Sequence, residues 1–310
     1  MRAAVLPEFG HPVSVIDLPV PQPGPGEVRV HVRASSVNGF DLAVAAGYAR
    51  DWFEHRFPVV LGRDFAGTID ALGAGVTRFA VGESVFGVIV KPVLGDGGFG
   101  EYAIVADGPG IVPLGENLEL ATAGALGLAG TSAVLAVEAV APKPGEFVLI
   151  CGAPGGVGSF AVQLAAQGGA EVVATAHRGD QEDYVRRLGA THVVDRDGDL
   201  AAQVRAIRPE GMHAVIHLGG DGPSLARLLA PGGRFASLLG VGPEQLDGAA
   251  AKATSVAAWP DSAILNRLAS DVAAGRLRVP IHATYRLEHI TEALADFADG
   301  KSGKIAIAID

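Results

Sequence analysis

A chain of 310 residues, 49% hydrophobic and 19% charged, has the make-up of a folded globular protein with room for two domains. Its formal charge of −10 argues against nucleic acid or an anionic membrane as the main partner. One cysteine, Cys151, rules out a disulfide framework or a multi-thiolate zinc site within the chain; with no run of 18 apolar residues and no signal-peptide pattern at the start, a cytoplasmic location is expected.

The first third reads as short strands. "EVRVHVRASSV" (27–37) alternates as a half-buried strand does, and the turn cluster "PQPGPG" precedes it. "PVVLGRDFAGTIDALGAG" and "VGESVFGVIV" continue in that style. From residue 121 to 256 the chain alternates instead. Strands are predicted at 147–151, 171–176, 192–195, 214–218 and 234–239, and helices near 158–168, 180–188, 199–207 and 224–229. Such alternation predicts a parallel sheet with helices on both faces. The tail, 257–310, carries two helical segments, "DSAILNRLASDVAAG" and "EHITEALADFADG", and two extended ones, "LRVPIHATYRL" and "KIAIAID". Two helices and two strands make a poor domain alone. The tail is therefore expected to pack back onto residues 1–120 as one domain, with 121–256 as the other.

The turn "APGGVG" (153–158) joins the strand 147–151 to a helix. Glycines there let a backbone approach a diphosphate, and the helix start offers unpaired N–H groups to it. Ala153 stands where the first glycine of G-x-G-x-x-G would be, and Gly155, Gly156 and Gly158 follow. At the end of the second strand an acid would bind the ribose of NAD. The sequence reads "VVATAHRGDQ", placing Thr175, His177 and Arg178 there with no acid before Asp180. Arg178 can fork onto a 2′-phosphate, Thr175 can donate a hydrogen bond, and Arg196, after the third strand, can reach the same corner. NADPH is the expected cofactor.

With "VLGRDFAGTIDALGAGVTRFAVGESVFG", "GGFGEYAIV", "LAGTSA", "GAPGGVGSFAVQLA", "LAPGGRFASLLG" and "GKSGKIAI" in this order, the chain resembles the medium-chain dehydrogenase/reductase superfamily, and within it the zinc-free quinone oxidoreductase (zeta-crystallin-like) branch. The resemblance implies an α/β fold: a Rossmann-type doubly wound parallel sheet, plus a mainly β catalytic domain formed by the N-terminal third and the C-terminal tail, with the active site in the cleft between them. It implies a homodimer that uses NADPH to reduce a small-molecule quinone or enone. Ser132, Ala153, Gly155, Gly156, Val157, Thr175, His177, Arg178, Arg196, Leu218 and Gly240 form the expected cofactor set. Asn38, beside the acceptor, Asp41, shaping that wall, and Tyr48, a proton or hydrogen-bond donor, form the expected catalytic set. Trp52 and Phe53 are candidate apolar walls.

Zinc-dependent relatives place a Cys near "VNGFD" and a His-Glu pair in "GRDFAG", where this chain has Asn38, then Arg63 and Asp64. An amide, a guanidinium and one carboxylate do not make a tetrahedral zinc site. His213 and His217, four apart on a strand, stand roughly 13 Å apart. No metal is expected. Val134 and Arg196 replace tyrosines common in relatives. An enoyl-thioester reductase shares this architecture, and a non-catalytic NADPH-binding protein shares the same cradle.

Overall fold

The computed structural model describes residues 1–247 and 252–310. The chain divides into two compact units, Met1–Thr131 with Trp259–Asp310, and Ser132–Ala258.

The second unit is built on a parallel sheet. Among the described residues its strands lie in the order His192–Asp195, Glu171–Ala176, Phe147–Cys151, Met212–His217, Leu229–Ser237 and Lys252–Ser255. In chain order that is 3-2-1-4-5-6, the doubly wound arrangement that carries ligands beyond the carboxyl ends of its strands. Val148, Leu149 and Ile150 of the first strand are fully buried, as the continuous apolar run requires of a strand covered on both faces. The helix Gly156–Gln167 buries Phe160, Ala161, Leu164 and Ala165, and Gly169 with φ +80° turns the chain out of it. Side chains the size of Phe160 or Leu164 contribute about 1.5–3 kcal/mol each when fully buried.

The sequence reading did not include the edge strand Lys252–Ser255, and two further segments differ from it. The helix expected at 224–229 is Gly222–Ala226, and Leu229 opens the next strand. Proline and two glycines at 231–233 loop outward between the pairs Met212–Leu229 and Ala214–Arg234, so the strand begins before the apolar run that marks it. Residues Gly127–Val140 form a helix that the sequence reading did not name. "GLAGTSAVLAVEAV" is apolar nearly all round, so no 3.6-residue stripe announces it.

The first unit has the long strand Glu27–Val37 at its centre. One edge pairs with Asp64–Leu72, which leads on to Ser84–Val88 and Ile111–Pro113. The other edge is shared. Tyr102–Ala106 pairs with residues 27–31, and Lys304–Ala308 from the tail pairs with residues 34–37. The tail strand Ile281–Arg286 extends that side. The tail thus completes a sheet begun by the N-terminal third, as element counting leads one to expect. It also sets Lys304, the first residue of its strand, beside Val37 and Asn38.

Candidate active site

The glycine turn lies in the second unit, at the carboxyl end of Phe147–Cys151. The helix Gly156–Gln167 starts with Gly155 at its N-cap, and no side chain caps it. Its first-turn N–H groups are therefore not answered by a capping side chain and suit an anionic group. The turn is held from behind. Thr175 Oγ1 accepts the N–H of Gly152 (3.1 Å), and Ser159 Oγ donates to the Gly155 carbonyl (2.7 Å) while bonding the Tyr184 hydroxyl (2.7 Å). A Cβ on Gly158 would stand 2.2 Å from the Gly152 carbonyl oxygen and 2.6 Å from that of Ala153, so this position packs helix against turn. A Cβ on Gly155 would meet only the Gly152 oxygen, at 3.4 Å, and this side of the turn is open. The residues present fit a dinucleotide diphosphate. Ala153 is buried in the turn and Val157 is half-buried on the helix's first turn.

At the end of the second strand, the exposed Arg178 guanidinium lies 3.2 Å from Glu182 and 3.7 Å from Asp195. His177 Nδ1 lies 2.7 Å from Asp197. Arg196 is exposed, and only its backbone N–H, bonded to the Ala176 carbonyl (3.0 Å), ties it to this corner among the described residues. Leu218 N–H bonds the Cys151 carbonyl (3.0 Å), tying two strand ends together. Gly240 takes φ +77° in an exposed turn whose flanking N–H groups, from Leu239 and Val241, both donate to Ser237 Oγ. Ser237 in turn donates to His217 Nδ1 (3.0 Å), whose Nε2–H donates to the Gly220 carbonyl (3.0 Å). These partners fix the tautomer: a carbonyl can only accept, so the proton sits on Nε2. Ser132 is buried within the helix Gly127–Val140.

The first unit holds a buried polar cluster assembled from four stretches of chain. Asp64, wholly buried, accepts at Oδ1 from Leu128 N–H (2.7 Å), and at Oδ2 from Ser36 Oγ (2.6 Å) and Asn38 Nδ2 (2.8 Å). Lys304, 1% exposed, donates to Asn38 Oδ1 (2.6 Å) and to the Val37 carbonyl (3.0 Å), with its Nζ 3.7 Å from Asp64 Oδ2. Burial pulls the Lys304 pKa down, and the carboxylates of Asp64 and Asp41 push it back up. Asn38 Nδ2 spends its second hydrogen on the Ser36 carbonyl (3.1 Å), so both amide hydrogens are engaged. Asp41, third residue of the helix Gly39–Ala45, returns its carboxylate to Asn38 N–H (2.8 Å) and accepts Gly62 N–H (3.2 Å). Burial raises its pKa to about 7, against the opposing pull of the Asn38 N–H.

This donor set does not fit zinc. Two cations, Lys304 and Arg63, lie within the field of Asp41 and Asp64, and Asp64 is already saturated with donors. Among the described residues no group of three His, Cys, Asp or Glu side chains could hold a metal ion.

Tyr48 stands apart from the cluster. It is 76% exposed and lines an apolar groove of about 740 Å³ with Leu42, Ala45, Leu294 and Phe297. Trp52 is exposed, whereas Phe53 is half-buried, edge-to-face with Phe40 at 5.6 Å. Sequence reasoning singled out Asn38 and Asp41, which the structure places in this cluster, but not Lys304 beside them. The signal available was a lysine opening an otherwise apolar strand, "KIAIA". It also passed over the His217–Ser237 bond, which joins side chains 20 residues apart.

Two family models match the chain: the alcohol dehydrogenase GroES-like domain over residues 24–116 and the zinc-binding dehydrogenase domain over residues 156–256. The chain is 31% identical over 240 residues to an alcohol dehydrogenase of Geobacillus stearothermophilus, covering 70% of each. It is 36% identical over 218 residues, 69% of its length, to a mycocerosic acid synthase-like polyketide synthase of Mycobacterium tuberculosis, and spans 10% of that protein. The quinone oxidoreductase structure from Coxiella burnetii superposes with a TM-score of 0.89 at 25% identity, covering 100% of this chain and 99% of that one. The chain belongs to the medium-chain dehydrogenase/reductase superfamily, in its quinone oxidoreductase branch. Members of that family are oxidoreductases that use a nicotinamide cofactor. Among the described residues no helix is long and apolar enough to cross a membrane.

Proposed function

We propose that the protein uses NADPH to reduce quinones or other α,β-unsaturated carbonyls, without zinc. The observation that carries this reading is the buried Asn38–Asp64–Lys304 cluster, which puts an ammonium group where zinc-dependent relatives build a metal site. Without a Lewis acid a simple carbonyl is poorly activated, whereas a conjugated acceptor spreads the incoming charge itself. The protein's part is then to hold two reactants in line. When bound, the cofactor supplies the hydride. The uncapped helix start at Gly155 and Gly156 would hold its diphosphate, and Arg196 and Arg178 its 2′-phosphate. The exposed pairs of Arg178 with Glu182 and Asp195 cost little to exchange for a phosphate, since such pairs contribute about 0–1 kcal/mol.

Enoyl thioesters are the second reading, favoured by the stretch shared with a polyketide synthase and by the apolar groove beside Tyr48. The two separate on Tyr48→Phe. With a simple quinone, turnover of this variant should stay within about twofold, because no positioned acid is needed. With an enoyl thioester it should fall by about 10²-fold if Tyr48 delivers the proton. A large loss with both acceptors would overturn the quinone reading.

A further inference from the structure

Arg63 is held in place but left without a partner. Its carbonyl accepts Ile89 N–H (2.7 Å), and its neighbour Gly62 is tied to Asp41. Its guanidinium carbon lies 4.6 Å from the centre of the Phe40 ring and 6.0 Å from that of Phe53. Five arginines of the described chain are not exposed. Arg2 pairs with Glu101, Arg29 with Asp70, and Arg234 with Glu146, while Arg208 donates to the Gly211 carbonyl. Of these five, Arg63 alone has a guanidinium with no hydrogen bond and no ion pair among the described residues, and its Nε is buried without an acceptor.

The nearby carboxylates do not answer it, because each already has its donors. Asp64 takes three hydrogen bonds besides the Lys304 charge, and Asp41 takes two backbone N–H groups. Burial lowers the Arg63 pKa, and the field of Asp41 and Asp64 opposes that without cancelling it. What remains is a half-buried planar cation, walled by two aromatic rings, with its Nε–H buried and unspent. A buried donor without an acceptor is costly, and a fork of parallel N–H groups matches an anionic or carbonyl oxygen. The flat rings beside it suit a flat ligand.

We propose that Arg63 is a binding site for the oxygen of a planar, conjugated acceptor and holds that oxygen as it becomes an oxyanion. The inference rests on the reductase reading above and adds the group that stands in for a Lewis acid. In the step, a hydride from the reduced nicotinamide forms a C–H bond at the conjugated carbon. The C=C pair shifts toward the carbonyl carbon and the C=O π pair moves to the oxygen beside Arg63. A proton from water on the α-carbon then gives the saturated carbonyl. A quinone instead takes that proton on oxygen and tautomerises to the hydroquinone, its attacked carbon losing a proton to water as the other carbonyl oxygen gains one. The cofactor leaves oxidised by two electrons.

The test uses the full-length protein and two probes of nearly equal shape, 4-nitrophenolate and uncharged nitrobenzene, titrated calorimetrically into the wild type, Arg63→Lys and Arg63→Met. Arg63→Met should weaken phenolate binding by about 10-fold or more and nitrobenzene by less than about twofold, with Arg63→Lys between. NADPH affinity should not change in either variant. In quinone reduction, Arg63→Met should lower kcat by about 10²-fold, the size of losing an oxyanion donor. Phenolate bound equally well by wild type and by folded Arg63→Met or Arg63→Lys would overturn the site. Phenolate binding lost in Arg63→Met while kcat for quinone is unchanged would overturn its part in the reaction and leave the reductase reading standing. A wild type that binds phenolate through Arg63 yet consumes no NADPH with any conjugated acceptor would remove the reductase reading and leave the anion site.

Discussion

The two candidate regions are built on opposite plans. The glycine turn of the second unit is local: residues 152–159 supply nearly all of it, it is held from behind by Thr175 and Tyr184, and its front is bare backbone. The cluster of the first unit is assembled from residues 36–41, 62–64, 128 and 304, and nearly every polar atom in it is satisfied internally. An open turn is ready for a ligand that brings its own charge. A closed cluster instead fixes the chain around it and leaves one group, Arg63, facing no partner. On the proposed reading, binding rests on what the turn lacks and positioning on what the cluster shares.

The largest expected effect breaks the closed cluster. Lys304→Met leaves the Asp64 carboxylate buried without its cation and should destabilise the protein by about 3–5 kcal/mol, read from denaturant midpoints. The double variant Lys304→Met, Asp64→Asn should recover much of that loss; no recovery would show that the pair is not coupled. Next comes the turn. Gly158→Ala drives a Cβ onto two carbonyl oxygens and should cost about 1–3 kcal/mol, and cofactor affinity with it. Gly155→Ala meets nothing closer than 3.4 Å and should leave stability within about 0.5 kcal/mol, while affinity, read by fluorescence titration, still falls. Equal stability losses in the two variants would contradict the distinction between the packed and open sides.

A titration sharpens the contrast further. Folding raises the Asp41 pKa to about 7, so the folded chain keeps a proton that the unfolded chain releases near pH 4. Between those values the folded state binds more protons, and stability falls as pH rises. From pH 6 to 8 the loss from this group is about 1–2 kcal/mol, and it levels off above the folded pKa. Asp41→Asn should flatten that slope. The smallest effects lie at the adenosine corner. Arg196→Ala and Arg178→Ala should each weaken NADPH, since the exposed pairs of Arg178 with Glu182 and Asp195 are readily exchanged for a phosphate. NADH affinity should change in neither.

Legibility followed the same division. The parallel sheet and the glycine turn could be read from apolar runs and small residues because both are contiguous in sequence. The return of the tail to the N-terminal sheet followed from counting elements. The cluster was only half visible: Asn38 and Asp41 sit in one short segment, but nothing local marks Lys304, 266 residues further on, as their partner. Its place depends on the strand register Ile305–Val37, a property of the sheet and of no single segment. The isolation of Arg63 was equally hidden, since it depends on where the donors of Asp64 come from.

The most direct measurement follows NADPH absorbance on adding a simple quinone to metal-stripped protein, with NADH in parallel and zinc added back at the end. Rapid loss with NADPH, slower by about 10-fold or more with NADH and unchanged by zinc, is the expected result, the ratio being that of one bidentate phosphate contact. Turnover that begins only when zinc is restored would contradict it.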